Sequence, residues 1–264
     1  MNTYSVAAHK SDALLRGQRF QICDADRMTD TTRAEGVRAR AREQMRAAIL
    51  DTARDHLARH GATGLSLRAV ARDVGMVSSA VYRYFPSRDA LLTALIIDAY
   101  DSLGTAVETA EAGVGREDLL GRWRAISLTT RRWAQADPRQ YALVFGSPVP
   151  GYAAPQDTVG PAARVTRLLG DLLVDVAALS PPDVDGPVDG TLAEALAPVA
   201  AFVGGTVPTE VLLRGIMAWT YLFGAVSFEL FGQRNAVIPD DRRDAFFATE
   251  VDRVGDLLGL LPAG

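Results

Sequence analysis

The sequence predicts an all-α chain of about nine to ten helices, and three observations carry that prediction. Apolar residues recur at steps of three and four along most of the 264 residues, which gathers them on one side of a helix. No stretch alternates apolar and polar residues long enough to make a strand. Gly, Pro and Asp collect at 146–157 and 180–190, where they punctuate helices. An apolar fraction of 48% and a charged fraction of 23% are ordinary for a globular chain with a sizeable core.

The elements follow in order. Residues 1 to about 40 mix charge with Thr, Gly and Ser without a period and read as a flexible arm. Met28 stands before a shorter basic arm, so the first 27 residues read either as an extension or as part of the protein. From Glu43 the pattern turns helical through Met45, Ile49, Thr52, Ala53 and Leu57, and Gly61 stops it. Ser66 is placed to cap a short second helix through Val74, and Gly75 breaks it. Ser78 then caps a third helix that Pro86 ends. Ser87 caps a long fourth helix to about Ala112, with Leu91, Leu92, Leu95, Ile96, Ala99 and Leu103 as its apolar stripe. Further helices are expected at about 116–136, 138–146, 159–179, 191–202, 208–232 and 240–260.

The segment 66–85 carries the most specific spacing in the chain. Counted from Leu67 as position one, Val70, Val74 and Met76 fall at four, eight and ten, the apolar positions that weld a helix-turn-helix. Ala71 at five is small enough for the helices to cross, and Val81 at fifteen packs back onto the first helix. Gly75 at nine meets a turn that needs a left-handed backbone. Val81 and Phe85 make the inward face of the third helix and leave Ser79, Ala80, Tyr82 and Arg83 outward. A guanidinium such as that of Arg83 suits bidentate contact with guanine, and Ala80 suits a thymine methyl.

The run LSLRAVARDVGMVSSAVYRYFPSRDALLTAL resembles the DNA-binding domain of tetracycline-repressor-like (TetR family) regulators over about residues 43 to 103. The junction Tyr82, Phe85, Pro86, Ser87, Arg88, Leu91 and Leu92 carries most of the likeness. The resemblance implies a three-helix DNA-binding domain at 41–88, with its motif at 66–85, and a ligand-binding and dimerisation domain at 89–264. It implies that the third helix, Ser78 to Phe85, enters the major groove of a double-stranded operator. Tyr82 matches the family's phosphate-contacting tyrosine, with Tyr84 beside it. Arg68, Ser78 and Arg88, near three helix starts, are placed to hold phosphates. Arg38, Arg40, Arg42 and Arg46 add a salt-dependent attraction.

The body is less legible. AWTYLFGAVSFELFG, at 218–232, resembles a subfamily marked by Trp, His and Gly on a late helix. Trp219 and Gly224 match, but Phe223 stands where that pattern has His. RRWAQADPRQYALVFGSP suits the same subfamily. The last two helices are the expected homodimer surface, with Leu212, Ile216, Phe223, Val226 and Leu230 on one. Phe246, Phe247, Val251, Val254, Leu257 and Leu258 lie on the other, and both sets suit an internal core equally. A small apolar effector would be lined by Trp123, Trp133, Tyr141, Phe145, Tyr152, Trp219 and Phe223, residue types that serve a core as readily as a pocket.

Charge and composition exclude several classes. Residues 1–100 hold 15 Lys+Arg against 11 Asp+Glu, a net of +4; the rest hold 13 against 21, a net of −8. A basic reader on an acidic body fits that division. Lys10 is the one lysine, and such Arg and Ala bias suggests a GC-rich bacterial genome. Cys23 is the one cysteine, so no intrachain disulfide forms and a reducing cytoplasm fits. No charged n-region followed by an apolar h-region opens the sequence, so no secretory signal is expected. The longest uncharged apolar stretch, Gly215 to Phe228, is shorter than the roughly 20 residues a bilayer demands and reads as a buried helix. His56 and His60 are four apart, a metal-ligand spacing, but Asp51 and Asp55 complete no convincing set, and the pair reads as surface and cap histidines. No nucleophile elbow, phosphate loop or dinucleotide fingerprint appears, so neither catalysis nor a cofactor is expected. The rival readings are a helical small-molecule binder or enzyme on the same fold, and an architectural DNA-binding protein without effector.

Overall fold

A computed structural model describes residues 36–179, 190–204 and 207–260, and among them every regular element is helical. In chain order these are α1 (36–60), α2 (Leu67–Asp73), α3 (Ser78–Val81), α4 (Arg88–Glu111) and α5 (Leu119–Ala136). There follow α6 (Pro138–Phe145), α7 (Val159–Leu179), α8 (Gly190–Val203), α9 (Thr209–Leu230) and α10 (Arg243–Leu258). Local chemistry sets several boundaries. The Ser87 hydroxyl accepts from the Ala90 amide at 3.0 Å and starts α4. Asp118 caps α5 through the Gly121 amide at 2.8 Å. Asp137 accepts two amides at 3.1 Å ahead of α6, with Pro138 in the first turn, where its missing N–H costs nothing.

Two cores share one helix. The first gathers Ile49, Ala53, Val70, Ala71, Val81 and Phe85 around Leu91, Leu92, Leu95 and Ile96 of α4. The second begins at Leu103 and Val107 of the same helix and runs through α5, α7, α9 and α10. The first core therefore reaches two turns into α4, beyond the boundary expected at residue 88. The inward stripe of α4 is continuous, and it changes partner near Ala99.

The body is fastened by buried ion pairs as well as apolar contact. Arg122 of α5 donates to Glu111 at 2.5 Å and to Asp175 at 2.6 Å, drawing α4, α5 and α7 together. Arg131 grips both carboxylate oxygens of Glu229 at 2.7 Å and reaches Asp244 at 2.8 Å, joining α5, α9 and α10. On the α4–α7 seam Arg164 lies across Gly104, where a Cβ would strike its guanidinium, and donates to Glu108 and Asp101. Paired on every side in this way, these charges avoid the cost that a lone buried ion carries.

Several expectations change. Residues 36–40 are helical rather than part of an arm, because α1 continues back through Arg40, whose Nε donates to the Gly36 carbonyl. The remainder of the arm, Met28 and Cys23 lie outside the described residues, as does most of the 180–190 break. α3 is a single α-turn ending at Val81, with hydrogen-bonded turns from Tyr82 to Tyr84. Its cap is Val77, in extended backbone, so Ser78 is the first helical residue. Ser66 caps α2 by position, without a side-chain bond. His56 is no surface residue: it is buried, and its Nε2 lies 2.7 Å from an Asp73 oxygen, tying α1 to α2. His60 is the exposed member of the pair and meets His56 edge-on. Finally, α9 runs beyond the uncharged stretch, because Arg214 pairs with Glu210 and Glu229 with Arg131. By length and composition both α4 and α9 suffice to cross a membrane, and each turns one apolar side into a core of this chain.

Candidate nucleic-acid interface

The presentation of α3 begins with the turn before it. Gly75 has φ +79°, the left-handed conformation that a side chain would strain. The turn closes through the Gly75 amide on the Arg72 carbonyl at 3.1 Å and the Met76 amide on the Ala71 carbonyl at 2.8 Å. Buried Val81 and Phe85 then lock α3 onto the first core. With that face fixed, the opposite face has one orientation. It exposes Ser78, Ser79, Tyr82 and Arg83, with Ala80 half-buried beside them.

Arg83 and Arg68 are exposed and pair with no acid among the described residues, so both guanidiniums are free to meet an external partner. Tyr82 is 43% exposed, whereas Tyr84 is half-buried against the first core. Arg88 is differently employed. It donates to the Ala62 carbonyl at 2.7 Å and lies 3.3 Å from Asp89, so it braces α4 against the turn before α2. Arg46 sits 5.4 Å over the Phe85 ring and near Glu43, while Arg38, Arg40 and Arg42 are exposed on α1.

Sequence reasoning passed over Val77. It is 71% exposed at the cap of α3, an apolar side chain in water immediately beside Ser78. The available signal was negative: the weld needs Val74 and Met76, and no inward position remains for Val77. Arg54 is the other omission. It binds Asp51 and, at 2.6 Å, Asp98, and so fixes α1 to α4.

In the body, the aromatic residues named as effector contacts separate into core and cavity. Trp123 is fully buried and its Nε1 donates to the Val251 carbonyl at 2.8 Å, a bond that fastens α5 to α10. Trp133 donates to Ser102 at 3.1 Å. Tyr141 is buried, and its hydroxyl donates to the Phe223 carbonyl at 2.9 Å and meets Ser227 at 2.8 Å. Phe145 and Phe223 stack at 4.4 Å, so the phenyl ring at the position of the pattern's histidine completes an aromatic core. The same chain of rings reaches Trp219, 6.0 Å from Phe223.

Among the described residues, two cavities border these aromatic side chains. One, about 420 Å³, lies between α7, α8 and α9 and includes Trp219 in its wall. The other, about 570 Å³, lies between α4, the segment after α6 and the start of α7, with Tyr100 and Tyr152 in its wall. The Tyr152 hydroxyl meets Thr93 of α4 at 2.9 Å. Of the seven aromatic residues, only Trp219 and Tyr152 face either space. The dimer stripe also shifts. Leu212, Val226, Phe247, Val251, Val254 and Leu258 are buried within the chain, and Ile216, Phe223 and Leu230 are half-buried against its core. The exposed apolar residues here include Met217, Trp219 and Phe228 of α9 and Phe246 and Leu257 of α10.

Comparison with known proteins agrees with this division. A family model described as bacterial regulatory proteins of the tetR family matches residues 49–95. One described as the tetracyclin repressor-like C-terminal domain matches 123–254. The HTH-type transcriptional regulator Mb1846 of Mycobacterium bovis is 40% identical over 205 residues, covering 76% of this chain and 87% of its own length. The HTH-type transcriptional repressor LfrR of Mycolicibacterium smegmatis is 42% identical over 78 residues, covering 30% of this chain and 40% of its own. Among solved structures, the regulatory protein SCO4313 superposes with a TM-score of 0.69 at 36% identity, over 84% of this chain and 98% of its own. The chain therefore belongs to the TetR family, and is a DNA-binding transcriptional regulator with an N-terminal helix-turn-helix and a C-terminal helical domain.

Proposed function

We propose that this regulator is a cytoplasmic homodimeric repressor that reads a palindromic operator through two copies of α3 and is released by a small, largely apolar effector. The single observation that carries the reading is the free Arg83 guanidinium, exposed on a helix whose orientation Gly75 and the Val81–Phe85 face determine. Arg83, Ser79 and Ala80 are assigned to base edges, with Val77 beside them for a thymine methyl. Tyr82, Arg68 and Ser78 are assigned to phosphates, with Tyr84 and Arg88 supporting that surface from behind. Likeness to the repressor LfrR, over 30% of this chain, supports the sign of regulation.

The working division is a DNA-binding domain at 41–88, a motif at 66–85 and an effector and dimerisation domain at 89–264. α9 and α10 pair with their counterparts through Met217, Phe228, Phe246 and Leu257, because one reader on one half-site binds too weakly to regulate. Trp219 and Tyr152 are retained as effector-facing residues. We assign the protein no catalytic step and no membrane role. An electrophoretic shift with DNA from its own upstream region tests the reading. Specific binding that weakens with salt is expected; binding indifferent to sequence would sink it.

A further inference from the structure

We propose that the cleft between α7, α8 and α9 binds a neutral, chiefly hydrocarbon molecule that enters past Trp219 and Phe202. Its volume, about 420 Å³, lies within the roughly 300–1,000 Å³ of small-molecule sites. Among the described residues no ionisable side chain lines it, and Thr166 and the indole of Trp219 are its polar side chains. Its base is set by glycine. A Cβ at Gly215 of α9 would overlap the Leu173 side chain of α7, so the two helices approach more closely there than larger residues permit. Also on α7, Gly170 faces Val203 of α8, where a Cβ would make ordinary contact at 3.4 Å. At the mouth, Trp219 and Phe202 stand 42% and 48% exposed, two aromatic rings whose apolar surface an entering hydrocarbon would cover. An anion would enter with no cation to receive it, so a charged ligand is disfavoured.

The occupant is a small molecule rather than a second copy of the chain. On α9 the cleft takes Leu212, Gly215, Ile216 and Trp219, whereas Met217 and Phe228 lie nearly half a turn away. Pairing through the latter face leaves the cleft open. The second cavity differs in chemistry, because the Tyr100 and Tyr152 hydroxyls stand in its wall. Regulatory meaning for the cleft rests on the effector-responsive reading above, but occupancy does not, and it is measured without DNA.

The test titrates the full chain with N-phenyl-1-naphthylamine, a neutral apolar fluorophore. One saturable site per chain is expected, with quenching of tryptophan emission that is clearly reduced in Trp219→Phe. Ile216→Trp and Val199→Trp fill the cleft and should each weaken binding roughly tenfold or more, while Ala163→Trp in the other cavity stays within about twofold. The anionic relative 1-anilinonaphthalene-8-sulfonate should bind roughly tenfold more weakly than the neutral probe. Circular dichroism establishes that each variant is folded; should one filled variant unfold, the other and the Trp219 quenching decide. The proposal is overturned by no saturable binding, by wild-type affinity in both filled variants, by loss of binding in Ala163→Trp, by quenching undiminished in Trp219→Phe, or by equal affinity for the anion.

Discussion

Replacing Arg83 by Ala separates reading from folding. The guanidinium is exposed and unpaired among the described residues, so its removal orphans no partner, and the melting temperature should stay within about 1–2 °C of the parent. Binding should behave otherwise. A bidentate arginine–guanine contact discriminates by about 1–3 kcal/mol, and a dimer makes it twice. The operator complex should therefore lose about 2–6 kcal/mol, roughly 30-fold to 20,000-fold in affinity. Fluorescence anisotropy at fixed salt, with operator and scrambled duplexes, provides the measurement. Scrambled DNA should be held almost as before, because its affinity comes from phosphates. Equal losses on both duplexes would make Arg83 a phosphate contact, and an unchanged operator affinity would remove it from the interface; either result refutes the assignment.

Other perturbations address the scaffold. Gly75→Ala meets no neighbouring atom, so its cost is the left-handed backbone alone, about 1–2 kcal/mol, visible as a lower denaturant midpoint with an unchanged slope. Among the described residues Arg131→Met leaves buried Glu229 with Gln135 as its polar partner, and should destabilise the body by about 3–5 kcal/mol in the same assay. The hydrogen bond from His56 holds the Asp73 carboxyl below the usual carboxylate range. The folded state therefore binds fewer protons there than the unfolded chain. The stability this contributes is present above the ordinary carboxylate pKa and is lost as pH falls toward the depressed one. In melts from pH 5 to pH 3, the gap between the parent and Asp73→Asn should narrow as the acid protonates; a constant gap would dissociate Asp73 from the effect. Arg68→Ala should weaken all DNA alike and flatten the salt dependence by about one unit per protomer, read from affinity against log salt.

The helices were legible because their signals are local. Ser87, Asp137 and Pro138 act within one turn, and the 88–111 and 159–179 helices lie almost where periodicity puts them. The weld of the reader was equally readable, since Val70, Ala71, Gly75 and Val81 interact across one short turn. What escaped depended on distant partners. His56 looks like a surface histidine until the fold brings Asp73, 17 residues on, to its ring. Trp123 looks like a ligand contact until Val251, 128 residues away, supplies the carbonyl for its indole. Phe223 reads as a lost polar handle, yet its ring packs on Phe145 and its carbonyl accepts from Tyr141. Periodicity reports that a residue faces inward; it carries no information on whether an atom or a space lies opposite.

The same distinction bears on how an effector would act on the reader. α4 is 24 residues long, about 36 Å, and its two ends belong to different cores. Arg54 and Arg88 fasten its first turns to the DNA-binding part, while Arg164 clamps Asp101 and Glu108 to α7. Held at both ends, the helix transmits movement as a rod: a tilt of about 5° displaces its far end by about 3 Å. In the proposed dimer two such displacements alter a half-site separation that the duplex sets at about 34–36 Å. A ligand produces that shift only if it binds the two tilts unequally. The clamp on the α4–α7 seam is thus the place where energy must be spent, and Arg164→Ala, by loosening it, should reduce any effector's influence on operator affinity more than it reduces the affinity itself. Operator titrations with and without a saturating effector measure both quantities, and equal effector response in parent and variant would show that α4 does not carry the signal.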